Sequence, residues 1–516
     1  MSMQSFIMSY PVLTKLFMSN MPASFWRRQG QKSALKIFKE ASQKSPAYKE
    51  FLRKQRIKPK NIISMADFKK LPIINKKNYI EKYPLGELTL EGDLSSKYTV
   101  EKSSGYGGGS FFWPRTAKED AIFPKYIEYS FVQFYGIDKK KTLVILTLAL
   151  GTWTSGEKMA EALRMAAKNP KYKMTVITPG ANLEEVIEIV KSLSSEYEQT
   201  VIVGYPPFIK SVIDEGIRHK INWKKFNTKL GLGGEGYSEA WREYMAEKIG
   251  LPKKDLLGIS GGYGAADVGM SVGREYPMSV MIRKLAYKDK NLAADLFGMH
   301  SFLPSLLQFN PSTFFIESNQ NGELLFTVNA GIPLVRYNIH DKGGVIYFDE
   351  MISILEKHGI DIYKKLASYG YERGDIWKMP FFYVFGRSDG TISVGGANIY
   401  PENIEAALYH PDAKVINAHK LTLELDENMN TCPSILVELT KDTHPLSESD
   451  SVLLEKRLHD LFLNKMLQIN NDFRDAYRVD PKTTDPKVKI FSFSQGPFAE
   501  DKRRIKKRYI IRKGAR

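Results

Sequence analysis

At 516 residues, with 43% hydrophobic and 26% charged residues, the chain is too long for one ordinary core and reads as a globular protein of at least two domains. A single cysteine, Cys432, excludes any intramolecular disulfide, and eight scattered histidines lack the paired spacing of a metal site, so no zinc site is expected. The net charge of +17 is concentrated at the end, where DKRRIKKRYIIRKGAR holds nine Lys/Arg against one Asp and carries +8 of it. Such a tail reads as a nucleic-acid or acidic-membrane patch, a solubilising end, or a cationic grip on a polyphosphate. No RNA- or DNA-binding signature accompanies it, so no nucleic-acid partner is expected. One cysteine fits a reducing cytoplasm, and no apolar run reaches the length of a transmembrane segment.

The chain opens with MSMQSFIMSYPVLTKLFMSNMPASFWRRQGQK, apolar but interrupted by Pro11, Lys15 and Pro22. Without a basic leading region or a small-residue cleavage site it is not read as a signal peptide. It is expected to be an amphipathic segment packing on the body, or one touching a membrane surface. Residues 33–55 place apolar residues near helical spacing among many Lys and Glu and read as surface helices.

Next comes SSGYGGGSFFWPRT (103–116), with four glycines in seven positions. Glycine lets backbone N–H groups approach a ligand closely, and successive N–H groups form a concave anion nest. The stretch is no Walker A loop, having no GK[ST]. Alone, it reads equally as a Gly/Ser linker or as a phosphate loop.

TLVILTLAL (142–150), YKMTVITPG (172–180) and QTVIVGYPP (199–207) are short strand candidates. NLEEVIEIVKSLSS (182–195) between the last two is a helix, giving a βαβ unit with a parallel sheet. GYPPFIKSVIDEGIRH begins another helix, its prolines near the start where they are tolerated. GELLFTVNAGIPLVRYN (322–338) reads as two strands around a Gly-Ile-Pro turn, and 345–382 as a charged, partly helical region. From GRSDG (386–390) the texture changes to a β-β-α-β order, a small α+β domain. The boundary falls at Asp389, giving domains over 1–388 and 389–516. The fold class is α/β, a large N-terminal domain of mixed sheets flanked by helices, followed by that small α+β domain.

Four further stretches carry the chemistry. LGLGGEGYSEAWREYM (230–245) is a strand, a Gly-Gly-Glu turn and a helix; ISGGYGAADVGM (259–270) is another glycine-rich turn with an aromatic and an acid. VRYNIHDKG (335–343) sets a basic residue, an aromatic and an acid at a strand end; VFGRSDGTISVGGANIYPENIE (384–405) is a strand, a charged turn and a second glycine pair. Each alone has a mundane reading, since turns favour Gly and Asp. In this order, and with SPAYKEF, LPIINKKNYIEKYP, ALGTWTSG and VGYPP at matching spacing, they resemble the adenylate-forming superfamily of acyl-CoA synthetases. The resemblance is to its phenylacetate–CoA ligase-like branch and runs from about residue 33 to about 510.

That resemblance implies a reaction in which a carboxylate attacks the α-phosphate of Mg-ATP, giving an acyl-adenylate and pyrophosphate. A thiol, usually coenzyme A, then displaces AMP. It implies a phosphate loop at Ser103, Ser104, Gly105 and Gly108, with Gly107 and Gly109 where relatives carry a hydroxyl and a lysine. Gly233, Gly234, Glu235, Tyr263 and Gly264 would line the adenine, and Asp341 would hold the ribose hydroxyls with Arg336 supporting that strand end. Arg387 would contact ribose and phosphate. Asp267 stands where the magnesium-binding glutamate is usual. Asp389 would be the hinge of a mobile small domain, Gly395 and Gly396 would line the acceptor tunnel, and Lys506, or Lys502, would be the catalytic lysine. Trp153, Tyr205, Phe208 and Gly262 fall near the acid pocket, with ordinary core packing as the other reading of the aromatics. Two alternatives stay open: an amine or carrier-protein acceptor in place of coenzyme A, and a degenerate nucleotide-binding protein without turnover.

Overall fold

The computed structural model describes residues 11–503, apart from 96, 98, 105–109, 151–153, 300–302, 389–390, 401–402, 405–406, 409, 427–428 and 444–445. Helices Pro11–Asn20 and Ala23–Lys44 come first, and Met18 and Trp26 are buried in a cluster with Tyr129, Tyr276 and Trp377. These helices therefore pack on the body through Met18 and Trp26, while within the segment Phe25 meets Trp26 and Phe17 edge-on. Among the described residues no helix is long and apolar enough to cross a membrane.

Strands β1 (Thr99–Ser104) and β2 (Ser110–Arg115) form a sheet of their own. The central sheet holds β3 (Thr142–Leu146), β4 (Met174–Ile177), β5 (Gln199–Gly204), β6 (Lys229–Leu232), β7 (Ile259–Ala265), β8 (Gly269–Arg274) and β9 (Ser305–Gln308). It continues with β10 (Phe315–Ser318), β11 (Glu323–Ala330), β12 (Ile332–Ile346) and β13 (Phe381–Arg387). Among the described residues these eleven run in the order β10-β11-β12-β13-β9-β8-β7-β6-β5-β3-β4.

The half from β4 to β7 is parallel. Helices Thr154–Ala167, Leu183–Leu193, Pro206–Arg218 and Glu239–Ile249 make its crossovers. Parallel strands must be covered on both faces, which is why TLVIL shows no polar alternation. Leu143, Val144, Ile145, Val201, Ile202 and Leu230 are buried with Val186, Val190, Ile209 and Val212 of the helices. The other half is largely antiparallel, with β7 against β8 and β11 between β10 and β12.

Three local expectations are corrected. ISGGYGAADVGM is a strand hairpin rather than a glycine-rich turn, since only residues 266–268 turn between β7 and β8. Its glycines serve close packing: a Cβ on Gly264 would lie 3.1 Å from the Gly269 carbonyl, and one on Gly273 2.2 Å from the Phe382 ring. Asp341 is not at a strand end but inside β12, which continues to Ile346. Arg336 and His340 take left-handed φ of 52° and 66°, and the register against β11 shifts at both places. The strand bulges there and carries on, where the charged run had suggested a stop. The Gly-Ile-Pro turn contracts to Gly331, with Pro333 already paired to Asn329. Gly331 has φ of 74°, and a Cβ there would stand 1.8 Å from the Pro114 carbonyl oxygen, so no other residue fits.

The C-terminal residues follow the expected β-β-α-β order. β16 (Ile416–Leu425) pairs antiparallel with β17 (Thr431–Leu439), helix Glu448–Ile469 follows, and β18 (Lys487–Phe491) pairs parallel with β17. Before them, β14 (Ile392–Val394) and β15 (Ala397–Ile399) form a small hairpin. The chain divides into two compact units. The larger ends at Gly386, and the smaller begins at Arg387.

Candidate active site

Two segments of the larger unit exchange hydrogen bonds in a reciprocal pattern. The β7 hairpin supplies Tyr263 and Asp267; β12 supplies Tyr337 and Asp341. The Tyr263 hydroxyl donates to Asp341 Oδ2 at 2.5 Å, and the Tyr337 hydroxyl donates to Asp267 Oδ2 at 2.7 Å. Both carboxylates are 7% exposed. Such donors satisfy carboxylate oxygens that burial removes from water. The Tyr263 ring lies parallel to Phe326 with centroids 6.2 Å apart, and meets Phe382 edge-on at 5.4 Å.

Asp267 also faces a cation. Lys76 Nζ lies 3.5 Å from Asp267 Oδ2, although Lys76 comes from a distant part of the chain. Its segment is stitched to β12 by the bridge of Ile74 with Tyr337: the Ile74 N–H donates to Arg336 O at 3.3 Å, and the Asn338 N–H donates to Ile74 O at 2.8 Å. Arg336 reinforces this, its guanidinium reaching Glu317 at 2.5 Å and the carbonyls of Lys69 and Leu71. Arg336 thus holds segment 69–74 rather than a strand end. The sequence reading missed Lys76; its only signal was that LPIINKKNYIEKYP kept the branch's spacing.

The glycine-rich stretch lies between β1 and β2 in the chain. Ser103 and Ser104 close β1, whereas Gly105 and Gly108 lie outside the described residues, as do Gly107 and Gly109. The Trp113 indole N–H donates to Ser103 Oγ at 2.8 Å. Trp113 meets Tyr337 edge-on at 6.3 Å, and Lys76 Nζ stands 5.9 Å from the Trp113 ring centroid. Buried Arg115 donates to Glu101 at 2.9 Å, to the Ala330 carbonyl at 3.0 Å and to the Ala266 carbonyl. It therefore ties the hairpin to the turn that carries Asp267. Lys158 Nζ adds a second cation 2.8 Å from Glu101.

A third group forms around Tyr205, the residue that precedes helix Pro206–Arg218. Its hydroxyl shares a hydrogen bond with Ser155 Oγ at 3.1 Å. Burial and the Glu235 carboxylate push this hydroxyl above its ordinary pKa. The turn after β6 rests on the same ring: Gly234 has φ of 81°, and a Cβ there would stand 2.4 Å from Tyr205 Cε1. Glu275, absent from the sequence reading, accepts from the Gly261 N–H at 2.8 Å, from the Tyr237 hydroxyl at 2.6 Å and from Arg242 at 2.6 Å. Burial opposes its ionisation, yet the Arg242 and Arg283 guanidiniums hold its carboxyl below the usual range. This network fixes the start of β7, where Gly262 and Tyr263 follow.

No family model matches the chain. It is 21% identical over 431 residues to the phenylacetate-coenzyme A ligase of Aromatoleum evansii, covering 82% of this chain and 84% of that protein. It is 21% identical over 370 residues to the phenylacetate-coenzyme A ligase of Thermus thermophilus, covering 70% of each. The chain is thus similar to phenylacetate–coenzyme A ligases over most of its length. Among solved structures it is similar to 2-hydroxyisobutyryl-CoA ligase in complex with 2-HIB-AMP and CoA in the thioesterification state. The TM-score is 0.62 at 15% identity, covering 95% of this chain and 90% of that one. An open conformation of the same ligase gives 0.51 at 14% identity, covering 95% and 92%. The fold is that of acyl-CoA ligases, as the order of motifs led us to expect.

The remaining predicted residues are placed as follows. Gly262 and Gly264 are half-buried in β7, and Phe208 is buried on its helix. Arg387 is the last residue of β13. Gly395 and Gly396 form the two-residue turn between β14 and β15, with φ of 58° and 82°, the positive pair that suits the strands' twist. A Cβ on Gly395 would come 3.0 Å from Thr484 Cγ2 and 3.3 Å from Ala476 Cβ. Lys502 lies in the short helix Gly496–Arg503, while Trp153, Asp389 and Lys506 lie outside the described residues.

Proposed function

We propose that the protein is an AMP-forming acid–thiol ligase that activates a carboxylic acid with ATP and passes the acyl group to coenzyme A. The reciprocal exchange between Tyr263 and Asp341 and between Tyr337 and Asp267 carries this reading. It brings two buried carboxylates together on two segments of the larger unit, tied through Arg115 to the β1–β2 hairpin.

In the first half-reaction the substrate carboxylate oxygen bonds to the α-phosphorus and the bond to the pyrophosphate oxygen breaks. In the second, the thiol sulfur bonds to the acyl carbon, the proton leaves the sulfur and AMP departs. Asp341 accepts hydrogen bonds from the ribose hydroxyls, and Tyr263, Gly264, Gly234 and Glu235 line the adenine. Ser103, Ser104, Gly105 and Gly108 donate to the phosphates, and Arg387 reaches ribose and phosphate. A tail lysine, Lys506 or Lys502, stabilises the charge that develops during adenylation. Gly395 and Gly396 face the acceptor and Asp389 serves as the hinge. Trp153, Tyr205 and Gly262 bound the acid.

Asp267 suits magnesium: it is a hard oxygen donor, and a lone carboxylate is enough for an ion that keeps waters and phosphate oxygens as its other ligands. Asp267 would hold that ion, which neutralises phosphate charge when bound. The one cysteine, Cys432, is free and buried, which supports a cytoplasmic setting.

The test is carboxylate-dependent ATP–pyrophosphate exchange across aryl, fatty and amino acids, with Asp341→Ala as control. Exchange with one acid class, lost in the variant, followed by acyl-CoA formation on adding coenzyme A, is the expected result. Product formed only with an amine or a carrier protein would replace the acceptor. ATP binding with no exchange for any acid would overturn turnover in favour of a nucleotide-holding protein.

A further inference from the structure

One face of the central sheet gathers buried polar groups that make no hydrogen bond among the described residues. They are the hydroxyl of Ser260 in β7, the hydroxyl of Tyr135, and Nε of Arg274 in β8, whose residues are 0%, 2% and 9% exposed. Strand pairing brings them together. Gly262 lies directly opposite Arg274, and opposed residues share a face, as does Ser260 two positions before Gly262. Tyr135 ends helix Ala117–Tyr135, and its hydroxyl would stand 3.1 Å from a Cβ on Gly231, which pairs with Ser260. The face is open at Gly262: a Cβ there would meet nothing nearer than the Gly273 carbonyl oxygen, 3.6 Å away.

Arg274 differs from the other buried arginines. Arg115, Arg242 and Arg283 each reach a carboxylate, whereas Arg274 makes no ion pair among the described residues. Its guanidinium lies over the Phe134 ring, 4.4 Å from the centroid, a contact that uses the plane and leaves the N–H edge for an acceptor. Glu275, next in the chain, is held by Arg242 and Arg283, and Asp255 is held by Lys229. An unpaired charge is costly to bury, so a guanidinium kept there calls for an anion from outside the chain.

We propose that Arg274, Ser260 and Tyr135 bind a second acidic group of the substrate, so that the acid activated is a dicarboxylic or similarly doubly anionic one. This rests on the reading that the acid lies over Gly262. The reacting carboxylate then lies towards Gly264, at the nucleotide, and the remote one at Ser260 and Arg274. Burial pushes the Tyr135 hydroxyl above its ordinary pKa, so it remains a donor. A monocarboxylic acid leaves these donors without a partner, which is the arrangement that discriminates most strongly against an analogue lacking one polar group.

The test is ATP–pyrophosphate exchange by the full chain with matched acids, hexanoate against adipate and phenylacetate against para-carboxyphenylacetate, for wild type, Arg274→Met, Arg274→Lys and Tyr135→Phe. In wild type the diacid of a pair is expected to exceed the monoacid in kcat/KM about tenfold or more, the scale of a bond to a charged group. Arg274→Met is expected to abolish that preference, Arg274→Lys to keep most of it and Tyr135→Phe to reduce it several-fold, with the KM for ATP within about twofold. Wild-type preference for the monoacids, or an unchanged ratio in Arg274→Met, would show that Arg274 serves packing alone and would overturn this inference while the ligase reading stands. Exchange with no acid at all, although ATP binds, would overturn the ligase reading and this inference with it. Should Arg274→Met not fold, the wild-type ratio still decides, since preference for the monoacids overturns the inference by itself.

Discussion

Tyr263 and Asp341, 78 residues apart in the chain, meet with the tyrosine hydroxyl 2.5 Å from the carboxylate. The contact orients the carboxylate before any ligand arrives, and under the proposed role an oriented acceptor loses less freedom on binding the ribose hydroxyls. Tyr263→Phe removes one neutral donor, worth about 1 kcal/mol, so the KM for ATP is expected to rise several-fold with the KM for the acid unchanged. Asp341→Ala removes the acceptor itself, and ATP–pyrophosphate exchange is expected to fall about a hundredfold or more. Equal effects of the two variants would contradict the ribose assignment.

Asp267 sits between the Tyr337 hydroxyl and Lys76. Asp267→Asn keeps the shape but loses the anion, so half-maximal exchange is expected to need about tenfold more magnesium. Binding of ATP in EDTA should be unchanged or tighter, because an anion facing the phosphates is gone. A magnesium titration identical to wild type would remove the metal role.

Glu101 and Arg115 form a buried pair at 2.9 Å, with side chains 5% and 2% exposed. Glu101→Ala removes the carboxylate shared by the buried Arg115 guanidinium and Lys158, and is expected to cost about 3 kcal/mol of stability. Replacing both, as Glu101→Leu with Arg115→Met, is expected to restore part of the loss. Thermal unfolding of the single and double variants measures this, and simple additivity would show that the pair is not coupled.

Gly234 has φ of 81° and lies against the Tyr205 ring. Gly234→Ala adds a methyl that would overlap the ring in a backbone conformation other residues avoid, at a cost of about 1–3 kcal/mol. If Tyr205 bounds the acid, as proposed, the KM for the acid is expected to rise more than that for ATP. Steady-state kinetics with each substrate varied in turn separates the two.

His459 lies 3.0 Å from Asp460 and 3.1 Å from Asp485, within the smaller unit. Burial works against its charge, but bonds to both carboxylates leave its pKa raised above the ordinary value of about 6.5. A raised folded pKa stabilises fully below the unfolded value and loses that contribution as pH climbs through the folded pKa. Wild type is therefore expected to exceed His459→Gln in melting temperature at pH 5.5, with the gap closing as pH rises through the neutral range. A gap independent of pH would show that His459 contributes by packing alone.

The sequence by itself determined the βαβ half of the fold, the β-β-α-β order of the C-terminal residues and the family resemblance. Those features are local: strand runs such as TLVIL, the helix NLEEVIEIVKSLSS and glycines at fixed offsets follow from burial on two faces, helical period and backbone freedom. It also marked Tyr263, Asp267 and Asp341 as candidate site residues through the resemblance of their motifs. Only the tertiary structure decided that Tyr263 belongs to Asp341 and Tyr337 to Asp267. It also decided that β12 runs on through two bulges, that Arg115 links a hairpin to the Asp267 turn, and that Lys76 reaches that acid. Lys76 and Asp267 share no local pattern; backbone hydrogen bonds between Ile74 and β12 unite them. Side chains that meet through separate elements leave no periodic trace in either one, so their chemistry becomes visible only when the sheet is assembled.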